Sequence, residues 1–291
     1  MSQRADSYWN RLLRKMAYQG RSHKPLRPGA TFLSQMDVYF RGGGIIFLEE
    51  PDLFMKLLHD LGRVPTGSLA LYSQELLKNQ VLAEIFERQH KERNLTKYSG
   101  WEDKIAHASA QIALIYAPIR ELQPKVVVET GTAAGGLASM ILAAMAINGM
   151  GNLISIDIPP KTGELTMDYS IPEKEVGYFI PQEYRHRWKY VKGDAKFHLP
   201  RVLAENEVDF FIHDSLHTRT HMLFEYAAAR ALMRERAVIV SDDIMWNNTF
   251  HDFLCLNRLT GYAPFGNPNM GIFINSFDSF ERQIGLEIIR V

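Results

Sequence analysis

The sequence predicts an α/β fold with a doubly wound, mainly parallel sheet, and three observations carry that prediction. From about residue 103, short β-branched apolar runs alternate with segments of helical period, the rhythm of a parallel sheet covered on both faces. Those apolar runs end repeatedly in an acid. The first of them, VVVET at 126–130, passes directly into the glycine-rich turn GTAAGG, as a strand does when it turns tightly into a helix.

Taken in order, the first hundred residues read as loops and helices. LFMKLLHDLG at 53–62 and LYSQELLKNQVLAEIFERQHKERN at 71–94 have apolar residues at helical spacing, and RGGGIIFLEEP at 41–51 reads as a short strand between turns. DKIAHASAQIALIYAPIREL, at 103–122, reads as an amphipathic helix. Strands are expected at KVVVET, LISIDI, WKYVKG, VDFFIHD and AVIVSD, with helices at GLASMILAAMAI, LHTRTHMLFEYAAARALM and WNNTFHDFLCLNRL between them. MGIFINSF, after the GNPN turn, reads as a last strand, antiparallel at the sheet edge. PPKTGE and a Tyr/Pro-rich stretch break the rhythm over 159–186, the length and place of a lid or substrate wall. The division expected is an N-terminal helical and loop cap at 1–102 and the sheet domain at 103–291.

Composition limits the partners. The chain has 291 residues, 46% of them hydrophobic, enough for one large domain or a domain with a cap. Lys plus Arg and Asp plus Glu are 33 each, so no bulk charge favours nucleic acid or a membrane. Arg4, Arg11, Arg14, Lys15, Arg21, Lys24 and Arg27 crowd the N-terminus, a solvated segment by the simpler account. No basic surface interleaved with aromatic residues suggests a nucleic-acid substrate. The single cysteine, Cys255, excludes an intramolecular disulfide framework and fits a reducing compartment. MSQRADSYWNRLLRKM lacks the apolar stretch of a signal peptide, and MILAAMAI at 140–147 is far too short to span a membrane. A cytoplasmic protein is expected.

In an open α/β sheet, ligands bind beyond the carboxyl ends of the strands. Glu129, Asp157, Asp194, Asp214, Asp242 and Asp243 stand at those ends. Six carboxylates at one rim repel unless ligands, cations or protons offset the charge. Glu129, Gly131 and Gly135 give the spacing E-x-G-x-x-x-G, and a dinucleotide fingerprint would need a glycine where Ala133 stands. The glycines allow close approach of a ligand, or simply a tight turn. Asp157 is placed to accept from both ribose hydroxyls of a nucleoside, or to cap an ordinary turn, and Asp194 could meet an adenine amino group.

VVVETGTAAGGLAS, LISIDI, KGDA, VDFFIHDSLH and VIVSDD, in this order and spacing, resemble class I S-adenosylmethionine-dependent methyltransferases over about residues 103–278. The likeness is greatest to small-molecule O-methyltransferases that bind a divalent metal and act on catechols or on sugar hydroxyls of natural products. The resemblance implies a Rossmann-like seven-stranded sheet with the last strand antiparallel. It implies Glu129, Gly131 and Gly135 around the methionine part of the donor, Asp157 on the ribose and Asp194 near the adenine.

Asp214, Asp242 and Asp243 end neighbouring strands, about 4.8 Å apart in a parallel sheet, and can converge on one point. An oxygen-only set suits a hard cation such as Mg²⁺, and the similar metal-dependent enzymes carry acids at these strand ends. Asp242 could instead cap the following helix. His217 lies three residues after Asp214, where some relatives have a general base. Alternatively Asp214, His217 and His221 would suit a transition metal, or His217 is an ordinary residue near a helix start. Strand alternation points His213 to the other face, as a structural residue, and nothing singles out His186, His198 or His251. Trp101, Tyr169, Tyr178, Trp246 and Asn247 could line an acceptor pocket or simply pack.

The expected function is methyl transfer from S-adenosylmethionine to a small-molecule hydroxyl, with no nucleic-acid or membrane partner. A nicotinamide-dependent oxidoreductase is one alternative, disfavoured by the missing middle glycine. A non-catalytic S-adenosylmethionine-binding homologue is another, although such a chain would tend to lose strand-end acids and this one keeps all six. N- or C-methylation also fits the sequence. Helical additions to this fold often mediate dimers, so a homo-oligomer is expected by analogy.

Overall fold

The computed structural model describes residues 43–158 and 176–277. The cation-rich N-terminus, Tyr169 and most of the expected lid lie outside them. The strands are β1 (Gly44–Leu48), β2 (Val126–Thr130), β3 (Asn152–Asp157), β4 (Trp188–Lys192), β5 (Phe210–His213), β6 (Val238–Ser241), β7 (Thr260–Pro264) and β8 (Gly271–Ile274). They form one sheet in the order β1-β7-β8-β6-β5-β2-β3-β4. β2 pairs in parallel with β3 and β5, β3 with β4, β5 with β6, and β1 with β7. β8 alone runs antiparallel, to β6 on one side and β7 on the other.

Adjacent residues of the central strands face opposite cores, which explains why these strands read as continuous apolar runs. Val127, Phe210, Ile212, Val238 and Val240 join one buried cluster, while Val128, Phe211 and Ile239 join the other. On the first face pack α1 (Glu50–Asp60), α2 (Leu69–Leu77), α3 (Gln80–Arg93) and α4 (Trp101–Ala106). The short helix α5 (Ser109–Gln111), the π turn Ile112–Tyr116 and α6 (Ala117–Leu122) follow on that face, with α7 (Gly136–Asn148). On the second face lie α8 (Ala195–Glu205), α9 (Arg219–Leu232) and α10 (Thr249–Leu256). Residues 138–145 of α7 are all buried, so this helix is apolar on every side rather than striped.

The structure amends the sequence expectations at several elements. The expected helix at 71–94 is two helices, because the Asn79 side chain accepts from the Leu82 amide at 3.0 Å and starts α3 afresh. α8 was not expected, since Pro200 sits inside it. β7 was not expected either: Gly261 and Pro264 mask its pattern, yet four of its five residues are buried. With β7 present, β8 is an interior strand rather than the edge. β1, from the first hundred residues, then makes an eighth strand beyond the seven that the resemblance implies. Among the described residues no helix is long and apolar enough to cross a membrane.

Candidate active site

The parallel strands deliver their acids to one rim. Glu129 is the fourth residue of β2 and is fully buried. Its Oε1 accepts from the Ser155 hydroxyl at 2.6 Å, and that hydroxyl accepts from the Trp188 indole N–H at 2.7 Å. Oε2 is buried without a partner. Burial pushes this carboxyl up to about 8; Ser155 opposes the shift, and the Asp157 charge adds to it.

The glycine turn is held from two sides. Asp157 Oδ2 accepts from the amides of Thr132 and Ala133, at 3.0 and 2.8 Å. Residues 177–180 cover the turn from above: Gly177 N–H donates to the Ala133 carbonyl and Phe179 N–H to that of Ala134, both at 2.9 Å. Gly131 and Gly135 have φ of +83° and +80°. A Cβ on Gly131 would stand 2.0 Å from the Asp214 carbonyl oxygen, and one on Gly135 would stand 2.8 Å from the Gly177 Cα. Both glycines thus permit close approach of the protein's own backbone, as the tight turn requires. Asp194, expected near an adenine, ends the turn after β4 and caps α8, its Oδ1 accepting from the Lys196 amide at 2.8 Å.

Three acids crowd the next strand ends. Asp214 follows β5, and Asp242 and Asp243 follow β6. Asp214 and Asp242 are near enough for each to perturb the other's carboxyl. Burial holds Asp214 well above the usual carboxylate range, and Asp242, Glu129 and Asp243 push it further. Asp242 is raised to about 6 by burial and by Asp243. Asp243 has φ +47°, a left-handed conformation rare outside glycine. The donors are all oxygen, so the chemistry of the set suits a hard divalent ion. Among the described residues, no three acids or histidines already stand in a chelating arrangement.

His217 joins these acids. Its Nδ1 lies 3.9 Å from Asp243 Oδ2, and its Nε2 is buried without a partner. Burial, and then the neighbouring His213, lower the imidazole to about 4; Asp243 and Glu225 pull the other way. The ring is therefore neutral at physiological pH. Its backbone carbonyl accepts from the Asn247 side-chain amide at 3.0 Å, which ties the loop after β5 to the loop after β6.

Other expected residues are used differently. Trp101 packs with Phe86, centroids 5.5 Å apart, and donates its indole N–H to the Leu77 carbonyl. The Arg93 guanidinium lies 3.8 Å over the Tyr178 ring. His221 turns to Glu225 rather than to Asp214. Glu225, Thr130 and Ser215, which the sequence did not single out, converge behind Asp214. A buried Glu on an amphipathic helix is the one signal that could have pointed to them.

Residues 128–244 match the family model of a methyltransferase domain. Among solved structures, the chain is similar to the O-methyltransferase TomG of Streptomyces achromogenes, which is involved in tomaymycin synthesis and is in complex with SAM. That pair shares 15% identity at a TM-score of 0.46, covering 69% of this chain and 91% of TomG. The O-methyltransferase of Bacillus cereus in complex with SAH gives 13% identity and a TM-score of 0.42 over 68% and 90% of the two chains. The calicheamicin methyltransferase CalS11 gives 17% and 0.44 over 77% and 91%. No curated protein matches the chain. The matched segment runs from β2 past β6 and contains the glycine turn and all six strand-end acids. Over residues 128–244, the segment that holds the rim, the chain is thus similar to a methyltransferase domain.

Proposed function

We propose that this protein transfers the methyl group of S-adenosylmethionine to a hydroxyl of a small molecule, with a divalent cation, Mg²⁺ by donor chemistry, held by Asp214, Asp242 and Asp243. The observation that carries the proposal is the meeting, in one methyltransferase domain, of a partnerless buried carboxylate oxygen on Glu129 with the acid and histidine group at 214–243. A donor bearing a cationic methionine end and a ribose matches the first part of that rim. An acceptor hydroxyl that must lose a proton matches the second.

On this proposal Glu129 Oε2 accepts from the ammonium of the donor, which supplies the charge that its buried site lacks. Asp157 keeps the turn in place through Oδ2, and its other oxygen accepts from the ribose. Asp194 borders the adenine. The sulfonium is already a reactive donor, so the protein's main task is to align it with the acceptor oxygen. As the S–CH₃ bond breaks and the O–CH₃ bond forms, the hydroxyl proton passes to His217 Nε2, leaving S-adenosylhomocysteine and a methyl ether. A bound divalent cation would supply the Lewis acidity that makes the hydroxyl easier to deprotonate. His217 is a weak base, so it depends on that acidity. Leu216 and Trp246, each more than half exposed beside the histidine and the acids, suit an acceptor with an apolar body. The lone Cys255 fits a cytoplasmic setting.

The test is calorimetric titration of S-adenosylmethionine and of NAD(P)H into the purified protein, first with EDTA and then with Mg²⁺. S-adenosylmethionine should bind, and Asp157→Ala should abolish that binding. Mg²⁺ should bind in addition and fail to bind Asp242→Ala. Binding of NAD(P)H alone, or of neither ligand, would refute the proposal.

A further inference from the structure

Behind the loop that carries Asp214 and His217 lies a carboxylate that the proposed chemistry does not use. Glu225 sits in the middle of α9 and is completely buried. Its Oε2 accepts from the Thr130 hydroxyl at 2.6 Å and from His213 Nδ1 at 2.6 Å. Its Oε1 accepts from the Ser215 hydroxyl at 2.9 Å and from His221 Nε2 at 2.8 Å. A buried carboxylate is tolerated only when its lone pairs are satisfied, and here four donors meet it.

The four donors come from four places. Thr130 ends β2, His213 ends β5, Ser215 lies in the loop after β5, and His221 is in the first turn of α9. Asp214 is bracketed in sequence by two of them. His217 rests edge-on against His213, with ring centroids 5.1 Å apart at 73°. An ionised carboxylate only accepts, so its partners must present protons. His213 therefore carries a proton on Nδ1 and His221 carries one on Nε2.

We propose that Glu225 is the positioning residue of this site, a single buried carboxylate that fixes the Asp214 loop, the ring of His217 and the tautomers of His213 and His221. The inference deepens the methyltransferase proposal, on whose cation and base it rests. Glu225 touches none of the groups expected to meet donor or acceptor, and acts through those that do. A carboxylate serving stability alone would weaken every ligand in proportion to unfolding. A positioning carboxylate affects the cation far more than the donor, because the donor is held by Glu129, Asp157 and the glycine turn.

The experiment uses the full chain as wild type, Glu225→Gln and Ser215→Ala. Histidine-selective ¹⁵N NMR reads the tautomers, and calorimetry reads S-adenosylmethionine and Mn²⁺ separately. In the wild type, His213 and His221 should show opposite tautomers. Glu225→Gln keeps the shape but offers an amide that must donate, so at least one tautomer should change and the His217 resonances should move, while those of the distant His186 stay. Mn²⁺ affinity should fall about tenfold or more with S-adenosylmethionine affinity held within about twofold. Ser215→Ala, the milder change, should weaken Mn²⁺ and leave both tautomers in place. The inference is overturned if Glu225→Gln folds and leaves Mn²⁺ affinity and the His217 resonances unchanged, or if both ligands weaken equally. If the wild type binds S-adenosylmethionine but no Mn²⁺, the cation is lost from the methyltransferase proposal, and the His217 resonances of Glu225→Gln still decide the inference. If it binds neither ligand, that proposal fails, and the same resonances decide the clamp.

Discussion

Gly131 and Asp214 meet backbone to backbone, close enough that a Cβ on the glycine would stand 2.0 Å from the aspartate carbonyl oxygen. Backbone atoms cannot swing aside as a flexible side chain can, and φ at Gly131 is +83°. Gly131→Ala must therefore displace the Asp214 loop or the turn. A destabilisation of about 2 kcal/mol or more is expected from overpacking and left-handed strain. Gly136→Ala is the control, because a Cβ there meets nothing within 4 Å. Thermal melts of the two variants check this, and equal melting temperatures would show that the loop is not held as described.

Asp157 has two tasks, and two substitutions separate them. Its Oδ2 pins the Thr132 and Ala133 amides, and its charge and second oxygen are assigned to the ribose. Asp157→Asn keeps one carbonyl oxygen for the turn and loses the charge; Asp157→Ala loses both. The asparagine variant should melt near the wild type yet bind S-adenosylmethionine about tenfold or more weakly. The alanine variant should lose the binding and also about 1–3 kcal/mol of stability, the cost of unmet buried donors. Equal melting temperatures for the two variants would remove the pinning role.

The central parallel strands were legible because they are buried on both faces, so that Val126, Val127 and Val128 form an unbroken apolar run. β7 was not legible, because Thr260-Gly261-Tyr262-Ala263-Pro264 carries the residues that usually mark a turn, and neighbours on both sides hold it in the sheet. The strand-end acids were visible from their positions alone. Their states were not: the raised carboxyls of Asp214 and Asp242 depend on which acids are buried together. Glu225 was hidden for a related reason. Its donors Thr130, His213 and Ser215 lie 95, 12 and 10 residues away in sequence, and none of those spacings forms a motif.

Two buried glutamates predict opposite pH slopes. Glu129 is raised to about 8 from an ordinary value near 4.5, so its contribution to stability is full below about 4.5 and is lost as pH rises through 8. Glu225 is lowered to about 2: burial pushes it up, but the hydrogen bonds from His213, His221 and Thr130 outweigh burial. Its contribution is present above about 4.5 and is lost as pH falls toward 2. Urea unfolding across pH should show Glu129→Gln flattening the slope between about pH 4.5 and 8. Glu225→Gln should flatten it below about pH 4.5. Wild-type slopes retained in both variants would mean that neither carboxyl is perturbed as the structure implies.

The raised carboxyls of Asp214 and Asp242 predict how a cation should bind. Asp214 lies well above the usual carboxylate range and Asp242 near 6, so the pair holds a proton under mildly acidic conditions that a cation must displace. Apparent affinity for Mn²⁺ should rise as pH increases through about 6, with a proton released on binding. Below that pH the proton wins; above it the mutual repulsion of Asp214, Asp242 and Asp243 favours the cation. Without metal, the same raised values cost stability as pH climbs, and saturating Mn²⁺ should restore it. Calorimetry in two buffers of different ionisation enthalpy counts the released proton directly. Asp242→Asn should weaken binding and flatten the pH dependence together, since it deletes one charge and the carboxyl raised to about 6. Affinity that stays level from about pH 5 to 8 would show that these carboxyls are not raised, and that a cation at this rim is held by other groups.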